Sequence, residues 1–292
     1  MTVKLGIIGG SGLYDLDNIE KSSWHTISTP WGNPSDQILS CLVSGKEVFF
    51  LPRHNRKHNL SPSKINYRAN IDALKQMGVT DIISVSAVGS LKEELIPGLF
   101  VIVDQFIDRT YLREKTFFDA EIVAHVSMAY PTSLSLMNLC KKSLISAGID
   151  YKFNGTYLAM EGPQFSTLAE SNLYRSWNVD VLGMTNMPEA KLAREAEMRY
   201  ATIAMVTDYD CWHPSHDNVN VSTIIETLNK KAKNAKAMIN SLINLYDNDV
   251  LDNDSVSNCL DTAIISDLSL MTKETESRLK NIASRIFKSN ES

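Results

Sequence analysis

The sequence predicts an α/β fold, and three observations carry that expectation. Short apolar runs alternate along the chain with longer segments of helical spacing. The first two of those runs close on polar or glycine-rich loops, at Gly9 and at Pro52. The balance of 43% apolar and 22% charged residues over 292 residues is that of a globular chain with a sizeable core, in one large or two ordinary domains.

The elements follow in order. Residues 5–8 read as a buried strand closing on Gly9, Gly10, Ser11 and Gly12, and residues 47–51 as a second strand ending at Pro52, Arg53 and His54. Residues 66–77 carry helical spacing, with Ile71, Leu74 and Met77 on one face and Gly78 as the stop. Residues 81–85 and 99–103 read as strands on either side of a turn at 87–90. A helix is expected over 133–147, stopped by Gly148, and a strand over 179–182 that runs into Gly183, Met184 and Thr185. Pro188 suits the first turn of a helix over 189–197, residues 201–206 form a buried strand, and Ser222 can cap a long helix reaching about Tyr246. The acidic, turn-prone stretch 247–254 then separates a domain over 1–246 from a tail over 247–292. In that tail residues 272–288 are amphipathic, with Leu279, Ile282 and Ile286 on one side, suited to cover either the core or another subunit.

Composition excludes several classes. The formal net charge is −5 and the Lys and Arg residues are scattered, so no basic stripe tracks a nucleic-acid backbone. Cys41, Cys140, Cys211 and Cys259 show no paired metal-type spacing and need no disulfide framework. There is no apolar run of the ~20 residues that span a bilayer and no signal core. A cytoplasmic protein without membrane or nucleic-acid partners is the expectation.

The chemistry points to the end of the 201–206 strand, where Asp208 and Asp210 stand one residue apart. In open α/β sheets ligands settle beyond the carboxyl ends of strands. Two acids there suit the donor edge of an adenine-like base, whose N7 can accept from a carboxylic acid of raised pKa. An acidic turn capping the next helix explains the same residues. Gly9 to Gly12 can offer backbone amides and the Ser11 hydroxyl to an anion, but the spacing is neither a dinucleotide fingerprint nor a nucleoside-triphosphate loop. Arg53, His54, Arg56, Lys57 and His58 suit an oxyanion such as phosphate, although a solvated basic loop is the plain alternative. No metal is expected from the spacing of His54 and His58, since Asn55 stands where a zinc helix carries its acid. Ser86, Ala87, Met184 and Thr185 follow apolar strands and would emerge on the same sheet edge as Ser11 and Arg53. Phe165, in the loop 161–167, offers either a face for stacking on a base or a core side chain.

Taken in order, residues 6–14, 53–58, 66–70, 105–110, 161–171, 183–189 and 207–212 resemble the trimeric purine nucleoside phosphorylases, in the branch that acts on S-methyl-5′-thioadenosine. The likeness covers about residues 3–245. It implies a three-layer α/β/α fold around a twisted mixed sheet, a homotrimer, and phosphorolysis of S-methyl-5′-thioadenosine to adenine and 5-methylthioribose 1-phosphate in purine and methionine salvage. Inorganic phosphate is then a co-substrate, and no metal or organic cofactor is needed. By the same resemblance Ser11, Arg53, His54, Ser86, the Ala87 backbone and Thr185 would hold phosphate, while Met184 would contact the ribose and Phe165 and Ser166 the base. Asp208 would share or donate a proton at N7 and Asp210 would help select the 6-amino group; in relatives acting on 6-oxopurines an asparagine typically replaces the first acid, because an amide can donate to O6. His125 would border the 5′ substituent, reaching a neighbouring subunit's site, and Val221 and Ile224 would wall the methylthio group. Asn55, Gln164 and Leu168 depart from the family pattern, which favours glycine at the first position and arginine at the others. Two other readings stand beside this one: a phosphorylase for adenosine, methylthioinosine or 6-oxopurine nucleosides, and a non-catalytic purine-binding protein.

Overall fold

A computed structural model describes residues 4–10, 13, 16, 18–215, 219–247 and 255–289. Nine strands form one mixed sheet: β1 (Leu5–Gly9), β2 (Ile19–His25), β3 (Ile38–Val43), β4 (Lys46–Pro52), β5 (Asp81–Ser90), β6 (Phe100–Arg109), β7 (Tyr151–Met160), β8 (Val181–Gly183) and β9 (Arg199–Asp208). Their order is β2, β3, β4, β1, β5, β8, β7, β6, β9, and β9 pairs back onto β5. Strands β5 to β9 therefore close into a ring, with an open wing of four strands beside it. Six α-helices accompany the sheet: α1 (Tyr67–Gln76), α2 (Leu134–Ser146), α3 (Leu168–Ser176), α4 (Asn186–Glu195), α5 (Val221–Leu245) and α6 (Lys273–Ser289).

The strands expected from sequence are buried as such runs require when both sheet faces are covered. β1 is buried at all five residues, and β9 at every position after Arg199. One core gathers side chains of α1, α4 and α6, and a second gathers those of α2 and α5. Two helical layers thus enclose the sheet, as the expected α/β/α fold demands. The tail helix α6 lies on its own core, where Leu279, Ile282 and Ile286 are buried.

Several expectations need correction. Residues 87–90 are no turn but the end of β5, held in parallel register with β9 from Asp81↔Arg199 to Gly89↔Asp208. The long helix is capped by Asn220, whose side chain accepts from the amide of Thr223 at 2.9 Å, and not by Ser222. The asparagine side chain satisfies an otherwise orphaned donor of the first turn. β2, β3, β7 and α3 carry weak sequence signals: β2 (IEKSSWH) is mostly polar and exposed, and β7 is interrupted by Asn154 and Gly155. A Cβ at Gly155 would collide with Val101, so that glycine permits β7 to lie close against β6.

The helix α5 has two halves with different surroundings. Its C-terminal half buries Ala235, Met238, Ile239, Leu242 and Ile243, and Tyr246 just beyond it donates to Asp81 Oδ2 at 2.6 Å. Asp81 also pairs with Arg199 at the start of β9. The N-terminal half leaves Val221 and Ile225 exposed above the C-terminal ends of β5 and β9.

Candidate active site

A cavity of about 930 Å³ opens where β5 and β9 end, between the sheet, the β4 loop and the N-terminal half of α5. Arg53 and Asp208 both line it, together with His54, Ser86, Ala87, Phe165, Met184, Thr185, Asp210, Val221 and Ile224. Residues drawn from six separate stretches of sequence are thus brought to one space. The wall from α5 is mostly apolar, with Asn229 and Lys236 among its lining residues, and the floor carries the acids and hydroxyls, which is the usual make-up of a small-molecule site. Of the remaining expected residues, Ser11 lies outside the described residues. Ser166 is half-buried next to the cavity; its carbonyl accepts from the Cys211 thiol at 3.5 Å, tying the loop 161–167 to the acidic turn. His125 is exposed and outside the cavity lining of its own chain, with its amide bonded to the Ala263 carbonyl at 2.8 Å.

Asp208 is the last residue of β9, and both of its carboxylate oxygens have protein donors. The Thr207 hydroxyl reaches Oδ2 at 2.7 Å, and the Asp210 amide reaches Oδ1 at 2.8 Å. Burial raises the pKa of Asp208 most; these two bonds pull it down, and the Asp210 charge adds to the rise. Burial is also the largest influence on Asp210, whose pKa is raised too. The neighbour of this pair on β5 has to be glycine: a Cβ at Gly89 would stand 2.9 Å from Asp208 Oδ1. Asp210 itself takes φ of +52°, a backbone region that Asp tolerates better than most residues.

On the opposite wall, Arg53 differs from what its sequence suggests. Rather than a free guanidinium, it is 2% exposed and paired with Glu189 of α4, Nε to Oε2 at 2.8 Å and Nη2 to Oε1 at 3.0 Å. Nη2 also donates to Ser84 Oγ at 2.6 Å and Nη1 to the Val85 carbonyl at 3.0 Å. Burial opposes its charge, and Glu189 more than compensates, so Arg53 stays protonated. Each Nη carries two hydrogens, and Nη1 has a single described acceptor, which leaves one donor for a ligand. The net charge of this corner is therefore smaller than the basic run at 53–58 implies.

His54 donates from Nδ1 to the Leu60 carbonyl, 2.9 Å away, since a carbonyl can only accept. Burial, with Arg53 and His58 adding to it, pushes its pKa down to about 4. At neutral pH the ring is uncharged. Asn55 has φ of +68°, so asparagine takes the left-handed geometry where the family pattern prefers glycine, and its amide donates to the Ser35 carbonyl at 3.1 Å.

A residue with no signal in the sequence fastens the site together. Arg113, on the loop after β6, donates to the Met184 carbonyl at 2.5 Å, the Met187 carbonyl at 2.6 Å and the Glu161 carbonyl at 2.7 Å, and pairs with the Glu161 carboxylate at 3.1 Å. It thereby joins the loop bearing Phe165 to the strand end bearing Met184 and Thr185. Its own motif is an unremarkable Leu-Arg-Glu, and only the packing identifies it. Thr207 and Gly89 also belong to the site, one directly before Asp208 and the other two residues after Ala87, but residue type alone gives neither of them a role. Among the described residues, no three His, Cys, Asp or Glu side chains converge as a metal cage, and no helix is long and apolar enough to cross a membrane.

Comparison with known proteins places this geometry. A relative from Rhodospirillum rubrum, S-methyl-5′-thioadenosine phosphorylase, is 54% identical over 97% of both chains, and one of the same name from Bradyrhizobium diazoefficiens is 51% identical over 97% of this chain and 98% of its own. Among solved structures, a methylthioadenosine phosphorylase from an antarctic soil metagenomic library superposes with a TM-score of 0.91 at 44% identity, covering 96% of this chain and 99% of that one. The Schistosoma mansoni methylthioadenosine phosphorylase in complex with adenine gives 0.81 at 34% identity, over 87% and 97%. With residues 4–244 matching the pattern of the phosphorylase superfamily, and with Asp208 and Asp210 lining one cavity with Arg53 and His54, this chain belongs to that superfamily of enzymes.

Proposed function

We propose that the chain cleaves S-methyl-5′-thioadenosine with inorganic phosphate, giving adenine and 5-methylthioribose 1-phosphate. One observation carries the reading beyond the names of the relatives: the buried, pKa-raised Asp208 and the corner formed by Arg53 and His54 line a single cavity. Breaking the bond between C1′ and the purine N9 leaves positive charge on the sugar and sends the electron pair to the base. A phosphate at Arg53, His54, Ser86 and Thr185 stabilises the cationic sugar and attacks C1′, while Asp208 delivers its proton to N7.

Thr207 supports that delivery. Its one hydroxyl proton has two acceptors, the Val88 carbonyl at 3.2 Å and Asp208 Oδ2 at 2.7 Å. While Asp208 is protonated the hydroxyl serves Val88; as the proton leaves for the purine, the hydroxyl turns to the new carboxylate. Asp210 selects the 6-amino group, Phe165 stacks on the base, and Val221 and Ile224 receive the methylthio group. The reaction takes phosphate as co-substrate and uses no metal or organic cofactor. A homotrimer, in which His125 reaches the site of an adjoining copy, accounts for its exposure here.

The test is incubation with S-methyl-5′-thioadenosine, with and without phosphate, following adenine. Release only with phosphate is expected. No adenine in either condition would favour a purine-binding protein, and release without phosphate would indicate a hydrolase.

A further inference from the structure

We propose that His54 acts as a hydrogen-bond acceptor for its anion, taking the O–H of a singly protonated tetrahedral oxyanion at Nε2, and so selects hydrogenphosphate over anions that carry no proton. The inference rests on the reading of this cavity as a phosphate site and adds to it the protonation state of the ligand.

The argument starts from the tautomer. Nδ1 faces the Leu60 carbonyl at 2.9 Å and must carry the ring's proton to make that bond. His54 lines the cavity, and Nε2, on the other edge of the ring, has no partner among the described residues. A second proton would have to sit on Nε2, and the surroundings oppose it. The imidazole is largely buried, the charge of Arg53, the residue just before it, disfavours a second proton, and the His58 ring packs against it with centroids 4.7 Å apart. Glu189 favours the charged form, but that carboxylate is already engaged by two Arg53 nitrogens and the Tyr200 hydroxyl. Nε2 therefore presents a lone pair to the cavity.

A lone pair discriminates sharply among oxyanions of the same shape. Inorganic phosphate and arsenate keep at least one O–H at neutral pH and can donate it to Nε2. Sulfate keeps none, so its oxygen would meet the nitrogen lone pair with nothing between them. The other groups at this corner do not impose that choice: Arg53 can only donate, and the hydroxyls of Ser86 and Thr185 either donate or accept. Fixing the protonated oxygen at His54 also orients the ligand, since it turns the unprotonated oxygens towards the remaining donors and the sugar carbon.

The test is titration of the nucleoside-free protein with phosphate, arsenate and sulfate near neutral pH, followed by nitrogen-15 spectra of His54 in the phosphate complex. Phosphate and arsenate should bind alike and sulfate about 10- to 100-fold more weakly, the span associated with leaving a buried polar group unpaired. In His54→Leu that ratio should shrink to about threefold or less. The spectra of the unaltered chain, which do not depend on a variant folding, should show a single protonated ring nitrogen. Equal binding of sulfate and phosphate, or protons on both ring nitrogens in the complex, overturns the role given to His54 and leaves the phosphorylase reading standing. Failure of all three anions to bind overturns both.

Discussion

The amide of Asp210 donates to Asp208 Oδ1 across 2.8 Å, so the second acid of the pair holds the first through its main chain. The contact forms because Asp210 adopts a left-handed backbone and Gly89 leaves room beside it. Both carboxyl groups stay buried, and the raised pKa of each follows from that burial before anything else.

Asp208→Asn should lower turnover of S-methyl-5′-thioadenosine by about 10²- to 10⁴-fold, the usual worth of general acid assistance. An amide keeps an acceptor for the Asp210 amide but has no proton to give N7, and its NH₂ can donate to a 6-oxo group. Relative use of methylthioinosine should therefore rise. Steady-state kinetics on the two nucleosides decide it, and an unchanged preference would refute the assigned role.

Thr207→Val removes the hydroxyl that stabilises the Asp208 carboxylate, so the pKa of Asp208 should climb further above its ordinary value. Activity that requires the protonated acid is lost as pH rises through that pKa. The alkaline limb of the pH profile should move to higher pH in the variant, with the maximal rate down about tenfold, the order expected for one hydrogen bond to a charged group. A limb that stays in place contradicts the proposed switch of the hydroxyl.

Arg113→Ala leaves Glu161 buried without its cation, and breaking such a pair typically costs about 3 to 5 kcal/mol of stability. Melting temperature should fall accordingly. Because Arg113 also holds the Met184 carbonyl, KM for the nucleoside should rise, and added guanidinium ion should restore part of the activity. Loss of stability with KM unchanged and no rescue would reduce Arg113 to a purely structural residue.

Glu195, in α4, has a pKa raised to about 7, chiefly by burial, while it accepts from the Phe117 amide and the Thr116 hydroxyl, both at 2.7 Å. The folded pKa lies above that of the unfolded chain, so its contribution to stability is complete at acid pH and lost as pH rises through about 7. Glu195→Gln should flatten this part of the stability profile and gain about 1 to 3 kcal/mol relative to the parent at alkaline pH. Denaturant titrations of both proteins from about pH 5 to 9 provide the measurement, and parallel profiles would show that Glu195 does not titrate in this range.

The buried strands β1, β4, β5 and β9 and the helices α1, α2, α4 and α5 were visible in the sequence because apolar periodicity reflects burial, which is a local property of each segment. The acids at 208 and 210 and the basic run at 53–58 were visible because their side-chain chemistry is rare at strand ends. Tertiary structure decided what no local pattern encodes. The pairing of β9 with both β5 and β6 closes the ring and sets Gly89 against Asp208, and it depends on contacts between segments about a hundred residues apart or more. The neutralisation of Arg53 by Glu189, the neutral tautomer of His54 imposed by a carbonyl, and the anchoring by Arg113 are likewise consequences of who is buried beside whom. Side-chain type is written in the chain, whereas charge state and hydrogen-bond direction are set by desolvation and by neighbours that only folding supplies.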